Sequence, residues 1–431
     1  MALSRRAHDL SQPDPAMVLW DILQDMYHAE TNPSGYVSLG IAENTLMHDV
    51  LSQHIHKHMA LPNEDFTYGD GKKQLRAALG RFLARHFNPL VPVQPEHITV
   101  TNGCSSAVEH MSWALGNPGD CFLLGRPFYG TFVPDLTLRM GTKLLTVDFD
   151  GEDPLGETAA KRYEDKIIEA QAQGKKVAAL ILAHPHNPLG RCYPRAVLLQ
   201  LLSLCNKYKI HLVSDEIYAL STFTNTVDTE VDIHPFQSVL SLNVSDYIDP
   251  AYVHVIWGVS KDFGANGLRL GAIISQFNPR LHAALAPVSL YTSTSALTDH
   301  AAANFLDDNA WVDNYIRENR RLLAENFEYA TSWAKKNGID YAPGVNAGFF
   351  LWVDLGRAYG ESHREAADKG DLDKTVMDAL LKRRVFLASG AQFGSEKPGW
   401  FRIVFSHKRE YLDLGLQRIA AAIGRCDGEQ S

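Results

Sequence analysis

No apolar run in the 431-residue chain approaches the roughly 18 residues that a membrane-spanning helix requires, so no membrane partner is expected. Cysteine is scarce. The five (Cys104, Cys121, Cys192, Cys205 and Cys426) are odd in number and show no CxxC spacing. That argues against both a disulfide framework and a zinc site, and the sequon Asn243-Val244-Ser245 is read as chance. Basic residues are not in excess: the net charge is −9, which argues against nucleic acid as the main partner. Internal repeats and low-complexity linkers are absent. The segment Met1–Asp9 holds Arg5 and Arg6 but has no apolar stretch behind them, so a cytoplasmic location is expected rather than secretion. His54 and His58 stand at i, i+4 spacing, but no HExxH glutamate and no third ligand accompany them. They read as one polar helix face, and no metal is expected.

A hydrophobic content of 45% is ordinary for a globular chain, and the length exceeds what one core usually serves. Short β-type runs alternate with helical patterns between about 98 and 275. The runs are Ile98–Thr101, Cys121–Leu124, Lys143–Val147, Val177–Ala183, Ile210–Ser214, Val253–Trp257 and Leu270–Ser275, with helical segments such as Ser106–Leu115, Arg162–Gln173 and Arg195–Lys207 between several of them. This alternation predicts an α/β layer on a mostly parallel, buried sheet. Further on, Leu297–Asn337 reads as one long amphipathic helix, and strand-like runs at Gly348–Val353 and Phe401–Phe405 predict a smaller α+β domain. The expected organisation is an N-terminal segment over 1–50, with one β-like run at Val37–Leu39, packing on the small domain; a large domain over 51–297; and the small domain over 298–431.

The chemistry concentrates around Ser260-Lys261-Asp262-Phe263-Gly264-Ala265-Asn266-Gly267-Leu268-Arg269. A lysine directly after an apolar strand can form a Schiff base with a carbonyl compound, and a nearby arginine is a natural phosphate clamp. A cofactor with both an aldehyde and a phosphate uses both, and pyridoxal 5'-phosphate is that cofactor. Thr101-Asn102-Gly103-Cys104-Ser105 marks a strand-to-helix turn whose free N–H groups suit a phosphate. Asp215 ends an apolar strand, where a carboxylate could keep a pyridine nitrogen protonated, and Tyr218 follows within reach of a phenolic oxygen. Asn187 lies in the rigid turn His184–Gly190 and could present its amide to the same oxygen. Arg402 interrupts an apolar strand, an expensive place for a charge unless a partner such as a substrate α-carboxylate meets it. Each motif taken singly is also compatible with an ordinary cap, turn or ion pair.

Taken in order, Asn187, Asp215, Tyr218, Lys261, Arg269 and Arg402 resemble the class I/II aminotransferase superfamily with the aspartate aminotransferase-type fold, over about Val37 to Phe405. The resemblance implies a large cofactor-binding domain and a small domain, working as a homodimer on a small-molecule amino-acid substrate. It implies that Lys261 carries the cofactor and moves the Cα proton, that Asp215 pairs with the ring nitrogen, and that Tyr218 and Asn187 hold the phenolic oxygen. Gly103, Cys104, Ser105, Ser260 and Arg269 are then the phosphate site, Tyr129 stacks on the ring, and Arg402 clamps the carboxylate, with Asn187 beside the substrate.

The string Gly40-Ile41-Ala42-Glu43-Asn44-Thr45-Leu46 is similar to the 1-aminocyclopropane-1-carboxylate synthase-like branch, which places Glu43 against the substrate. Tyr68-Gly69-Asp70-Gly71 resembles the loop whose tyrosine reaches the neighbouring subunit's cofactor phosphate. One departure stands out: the family often has serine at the Gly258 position. The expected activity is transamination of an L-amino acid to a 2-keto acid. The alternatives are a carbon–sulfur lyase or synthase-like elimination, and a non-catalytic protein that has kept the fold.

Overall fold

The computed structural model describes residues 3–11, 18–67, 72–363 and 370–425. Its centre is a seven-stranded sheet built from β2 (Ile98–Asn102), β3 (Cys121–Gly125), β4 (Lys143–Val147), β5 (Val177–Ala183), β6 (His211–Asp215), β7 (Val253–Gly258) and β8 (Leu270–Ile274), in the order β2-β8-β7-β6-β5-β3-β4. Five of the strands, β3 to β7, run parallel to their neighbours among themselves, and β8 lies antiparallel to both β7 and β2. Every residue of β5 (Val-Ala-Ala-Leu-Ile-Leu-Ala) is buried, as a central strand covered on both faces demands. The fold is the α/β arrangement on a mostly parallel sheet that the alternating pattern predicts.

A four-stranded antiparallel sheet follows: β9 (Asp340–Tyr341), β10 (Phe350–Asp354), β12 (Ala388–Ser389) and β13 (Trp400–Val404), in the order β12-β13-β10-β9. The early strand β1 (Val37–Ser38) pairs in parallel with β11 (Val385–Phe386). Beyond it the Leu39 N–H still donates to the Phe386 carbonyl at 3.0 Å, and the chain then passes to β13 and the residues after it. The Val404 N–H donates to the Leu39 carbonyl at 2.8 Å, and the Thr45 N–H to the Ser406 carbonyl at 2.9 Å. Residues 37–45 therefore pass from β11 to the end of β13 and Ser406 before reaching the large sheet.

The stretch 297–337 is not one helix. Two helices, Ala296–Asp307 and Asn309–Lys336, meet at Asp308, whose backbone is non-helical (φ −79°, ψ 80°). Its carboxylate accepts from the Trp311 N–H at 3.1 Å and caps the second helix. The apolar periodicity continues across the break, and the acceptor that interrupts it is a single short side chain. The other oxygen of Asp308 meets His54 Nε2 at 3.2 Å, while His54 stacks between His58 and Trp311. This histidine pair thus serves the packing of the helix His48–Lys57. Among the described residues no helix is long and apolar enough to cross a membrane.

Candidate active site

At the carboxyl ends of the parallel strands, where open α/β sheets hold ligands, a cavity of about 220 Å³ opens. Cys104, Ser105, Tyr129, Asn187, Asp215, Tyr218, Ser260, Lys261 and Arg269 all line it. The antiparallel β8 matters here: because it runs backwards, Arg269, just ahead of its first residue, lies at the same edge as Asp215 at the end of β6. Glu43 joins through Asn266, a lining residue whose Nδ2 donates to the glutamate Oε1 at 3.0 Å. Arg402 joins through Asn187, whose Oδ1 accepts from Arg402 Nη1. Tyr68 falls outside the described residues.

One end of the cavity is a cradle that only glycine permits. Gly103 has φ +82°, and a Cβ there would stand 2.3 Å from Arg269 Nη2. A Cβ on Gly271 would come within 2.5 Å of the Gly103 carbonyl carbon. The helix Cys104–Leu115 starts at this turn, directing its free N–H groups, the Ser105 hydroxyl and the Arg269 guanidinium to one place. Arg269 itself has φ +51°, uncommon for a residue with a side chain, and donates to the Asn266 carbonyl at 2.8 Å. The departure at Gly258 has a steric reason: a Cβ would lie 2.5 Å from the Leu270 carbonyl oxygen and 2.8 Å from Cys104 Sγ. The Cys104 sulfur lies against the space that a side chain at 258 would need.

Lys261 sits in the one-turn helix Val259–Asp262 directly after β7. Its neighbour Asp262 anchors that turn by accepting from Trp257 Nε1 at 2.9 Å, Ser221 Oγ at 2.8 Å and the Leu220 N–H at 3.1 Å. Lys261 Nζ donates to the Ala42 carbonyl at 2.6 Å. Burial, followed by the positive charge of Arg402, lowers its pKa to about 8. Burial pushes Asp215 up to about 7, and among the described residues its carboxylate receives only the Ile217 N–H, at 3.3 Å. Such a carboxylate gains most from a cationic partner, since an opposite charge restores the ionised form. Tyr218 is buried between Phe349 and Phe350, both edge-on at 5.3 Å, and burial raises its pKa.

Arg402 lies on β13 opposite Trp352 and is only 4% exposed. Nη1 donates to Asn187 Oδ1 at 2.8 Å and Nη2 to the Gly40 carbonyl at 2.7 Å, while Nε has no hydrogen-bond partner among the described residues. The rings of Phe393 and Phe350 flank the guanidinium, 4.8 and 5.2 Å from centroid to Cζ. No carboxylate among the described residues pairs with this buried cation; its partners are neutral oxygens. His184 and His186 do not line the cavity. Both are buried, and the Tyr193 N–H and the Gln237 carbonyl hold His184 in the turn.

Three residues that the sequence patterns did not single out belong to the arrangement: Asn266, Asp262 and Asp135. The last lies on the short helix Phe132–Thr137 and lines the cavity, where burial raises its pKa to about 7. The only sequence signal for Asp135 is a charge in the apolar run Phe132-Val133-Pro134-Asp135-Leu136.

A cavity with a glycine-lined anion cradle, a depressed lysine and a buried carboxylate fits an aldehyde that carries a phosphate and a basic ring. The comparisons agree. The family model "Aminotransferase class I and II" matches residues 35–419, and the chain belongs to that family. Its cofactor is pyridoxal 5'-phosphate. The chain is 33% identical over 405 residues to the 1-aminocyclopropane-1-carboxylate synthase-like protein 1 of Bos taurus, covering 92% of this chain and 77% of that protein. It is 31% identical over 404 residues to a Mus musculus protein named "Probable inactive 1-aminocyclopropane-1-carboxylate synthase-like protein 2", covering 91% of this chain and 67% of that one. In fold it is similar to a double mutant of the Thermus thermophilus aspartate aminotransferase, with a TM-score of 0.75 at 20% identity, over 98% of this chain and 100% of that one.

Proposed function

We propose that this chain is a pyridoxal 5'-phosphate-dependent enzyme acting at Cα of an L-amino acid, and that the reaction is transamination to a 2-keto acid. The observation that carries this reading is that Lys261, Asp215 and the cradle at Gly103, Ser105 and Arg269 all open on one cavity. When bound there, the cofactor supplies an electrophilic carbonyl and a protonated ring that takes up the electrons of a Cα bond. Arg269, Ser105, Ser260 and the N–H groups after Gly103 hold its phosphate, and Tyr129 covers its ring. Asp215 would meet the ring nitrogen and favour its protonated form, and Tyr218 and Asn187 would be the hydrogen-bond partners of the phenolic oxygen. Arg402 binds the substrate α-carboxylate. Lys261 Nζ accepts the Cα proton and returns it elsewhere, a general-base role suited by a pKa near working pH.

Glu43 favours a second reading. A carboxylate that Asn266 holds beside Lys261 suits a substrate whose side chain is cationic or carries a leaving group, so elimination at the β or γ carbon is the alternative. The name of the murine relative makes a non-catalytic protein the third reading, and the joint presence of Lys261, Asp215 and Arg402 speaks for catalysis. The proposal includes a homodimer, for which the exposed Phe66, Leu290 and Tyr291 offer apolar surface.

One experiment separates the three readings: the cofactor-loaded protein is reacted with a panel of amino acids in a single turnover, with all products quantified. Stoichiometric keto acid without ammonia supports transamination. Ammonia, a thiol or a cyclised product supports elimination, and no product from any substrate supports the non-catalytic reading.

A further inference from the structure

A second cavity, an open cleft of about 680 Å³, lies between the helix Asn309–Lys336 and the segment from Ala219 to Phe236. It shares no lining residue with the cavity around Lys261. Arg317, Arg320 and Arg321 of that helix line it, together with His86 from the helix Lys72–His86. Their spacing puts the three arginines on one helix face, where like charges weaken a helix unless anions offset them. Yet the described lining residues include no aspartate or glutamate, in a chain whose net charge is −9.

The three arginines are not equally engaged. Arg321 is neutralised by Glu318 at 2.6 Å and by Glu325. Arg317 Nη2 donates to the Asn314 amide oxygen at 2.6 Å, and Arg320 Nε to the Leu220 carbonyl at 3.0 Å. Both partners are neutral, and among the described residues neither Arg317 nor Arg320 meets a carboxylate in an ion pair. Burial lowers the pKa of Arg320, opposed by the charge of Asp262, which lies across the Leu220 peptide and accepts its N–H at 3.1 Å. His86 Nε2 makes no hydrogen bond among the described residues. An Asp313 oxygen stands 3.8 Å from it, but that carboxylate is bound to Arg85 at 2.6 Å. Burial lowers the pKa of His86 to about 4, so near pH 7 the ring is neutral. A half-buried guanidinium with neutral partners is the setting that a carboxylate or phosphate completes.

The same cleft has apolar lining at Phe223, Ile233, Pro235 and Phe236. Phe223 is fixed by its packing on Phe327 and Phe405, at 5.3 and 6.1 Å between ring centroids. Rigid aromatic surface beside unpaired cations suits an anionic group joined to an aromatic body. We propose that this cleft is a second ligand site, which takes a small aromatic oxyanion, a carboxylate or a phosphate, with Arg320 and Arg317 as its anchors. The site is independent of the reaction assigned to the Lys261 cavity.

The test is calorimetric titration of the full-length chain, loaded with pyridoxal 5'-phosphate so that the Lys261 cavity is occupied. The probes are phenyl phosphate, benzoate, inorganic phosphate and the neutral benzamide. Phenyl phosphate or benzoate should bind saturably with a Kd below about 1 mM, and the tighter of the two tells which oxyanion the site takes. Benzamide should not bind, and inorganic phosphate should bind at least about tenfold more weakly than the tighter aryl anion. Arg320→Gln and Arg317→Gln should each weaken the aryl anion by at least about tenfold, as a charged hydrogen bond is lost, while Arg402→Met leaves it unchanged. Arg317 is exposed, so its variant decides the matter should Arg320→Gln misfold. Three results overturn the proposal: no saturable binding of either aryl anion, equal binding of inorganic phosphate, or binding that survives both arginine variants. If that surviving binding is lost in Arg402→Met, the probe occupies the Lys261 cavity instead.

Discussion

Arg402 Nη1 donates to Asn187 Oδ1 across 2.8 Å, and that bond decides which end of the asparagine amide faces the cavity. A guanidinium has donors only, so the carbonyl oxygen must point to it and the NH2 group is left for the ligand side. One contact thus fixes the proposed carboxylate clamp and orients the amide donor proposed for the cofactor's phenolic oxygen.

Asn187→Asp follows from this relationship. The new carboxylate would pair with Arg402 and compete with a substrate carboxylate. Steady-state kinetics should show KM raised by on the order of 10- to 100-fold, with a smaller loss in kcat, as a charged hydrogen bond worth about 1.5–3 kcal/mol is redirected. An unchanged KM would remove Arg402 from substrate binding.

Lys261 provides a pH signature. Its folded pKa, about 8, lies below the ordinary 10.5 because burial and then Arg402 disfavour the charged amine. Only the neutral amine attacks a carbonyl. The rate of cofactor capture should therefore rise about tenfold per pH unit up to pH 8 and level off above it. Arg402→Met removes the second cause, so the midpoint should move to higher pH. Stopped-flow absorbance across the range checks both, and Lys261→Ala should abolish capture while leaving the circular dichroism spectrum intact.

Gly103→Ala tests the cradle. The added Cβ meets the Arg269 guanidinium at 2.3 Å on a backbone of φ +82°, so the turn must shift. Left-handed backbone at a residue with a side chain costs about 1–2 kcal/mol. Affinity for pyridoxal 5'-phosphate should fall by at least about tenfold, and affinity for pyridoxal far less.

Much of this was legible in the chain itself. All seven strands of the large sheet fall within a residue or so of the apolar runs, because buried parallel strands read as continuous hydrophobic segments. The lysine, arginine and aspartate were visible because charge next to such runs is conspicuous. Asp135 and Asn266 were not, since they lie in one- or two-turn helical segments too short to show a periodicity. The Arg402–Asn187 contact joins residues 215 positions apart, a distance over which no local pattern speaks. The helix break at Asp308 was hidden because the apolar stripe continues on both sides of it.

Asp262→Ala addresses stability rather than chemistry. Three buried donors (Trp257 Nε1, Ser221 Oγ and the Leu220 N–H) would lose their acceptor, at about 1–3 kcal/mol each before relaxation. Denaturant unfolding should show a loss of about 3 kcal/mol or more, with Asp262→Asn losing about half as much. A neutral effect would mean that the Lys261 turn is held by its packing alone.

The parallel pairing of β1 with β11 has a consequence for the order in which the molecule is made. Val37 leaves the ribosome early, but its partner Val385 emerges only when nearly the whole chain has been translated. Arg402, whose Nη2 takes the Gly40 carbonyl, comes later still. The large sheet can form during synthesis, since its last strand ends at Ile274, and Lys261 and Asn266 already offer partners to Ala42 and Glu43, but the β-pairing of Val37 and the Arg402 bond to Gly40 wait for later residues. A nascent chain stalled before residue 385 would hold the turn at Gly103 but not yet the Arg402–Gly40 and Val37–Val385 contacts.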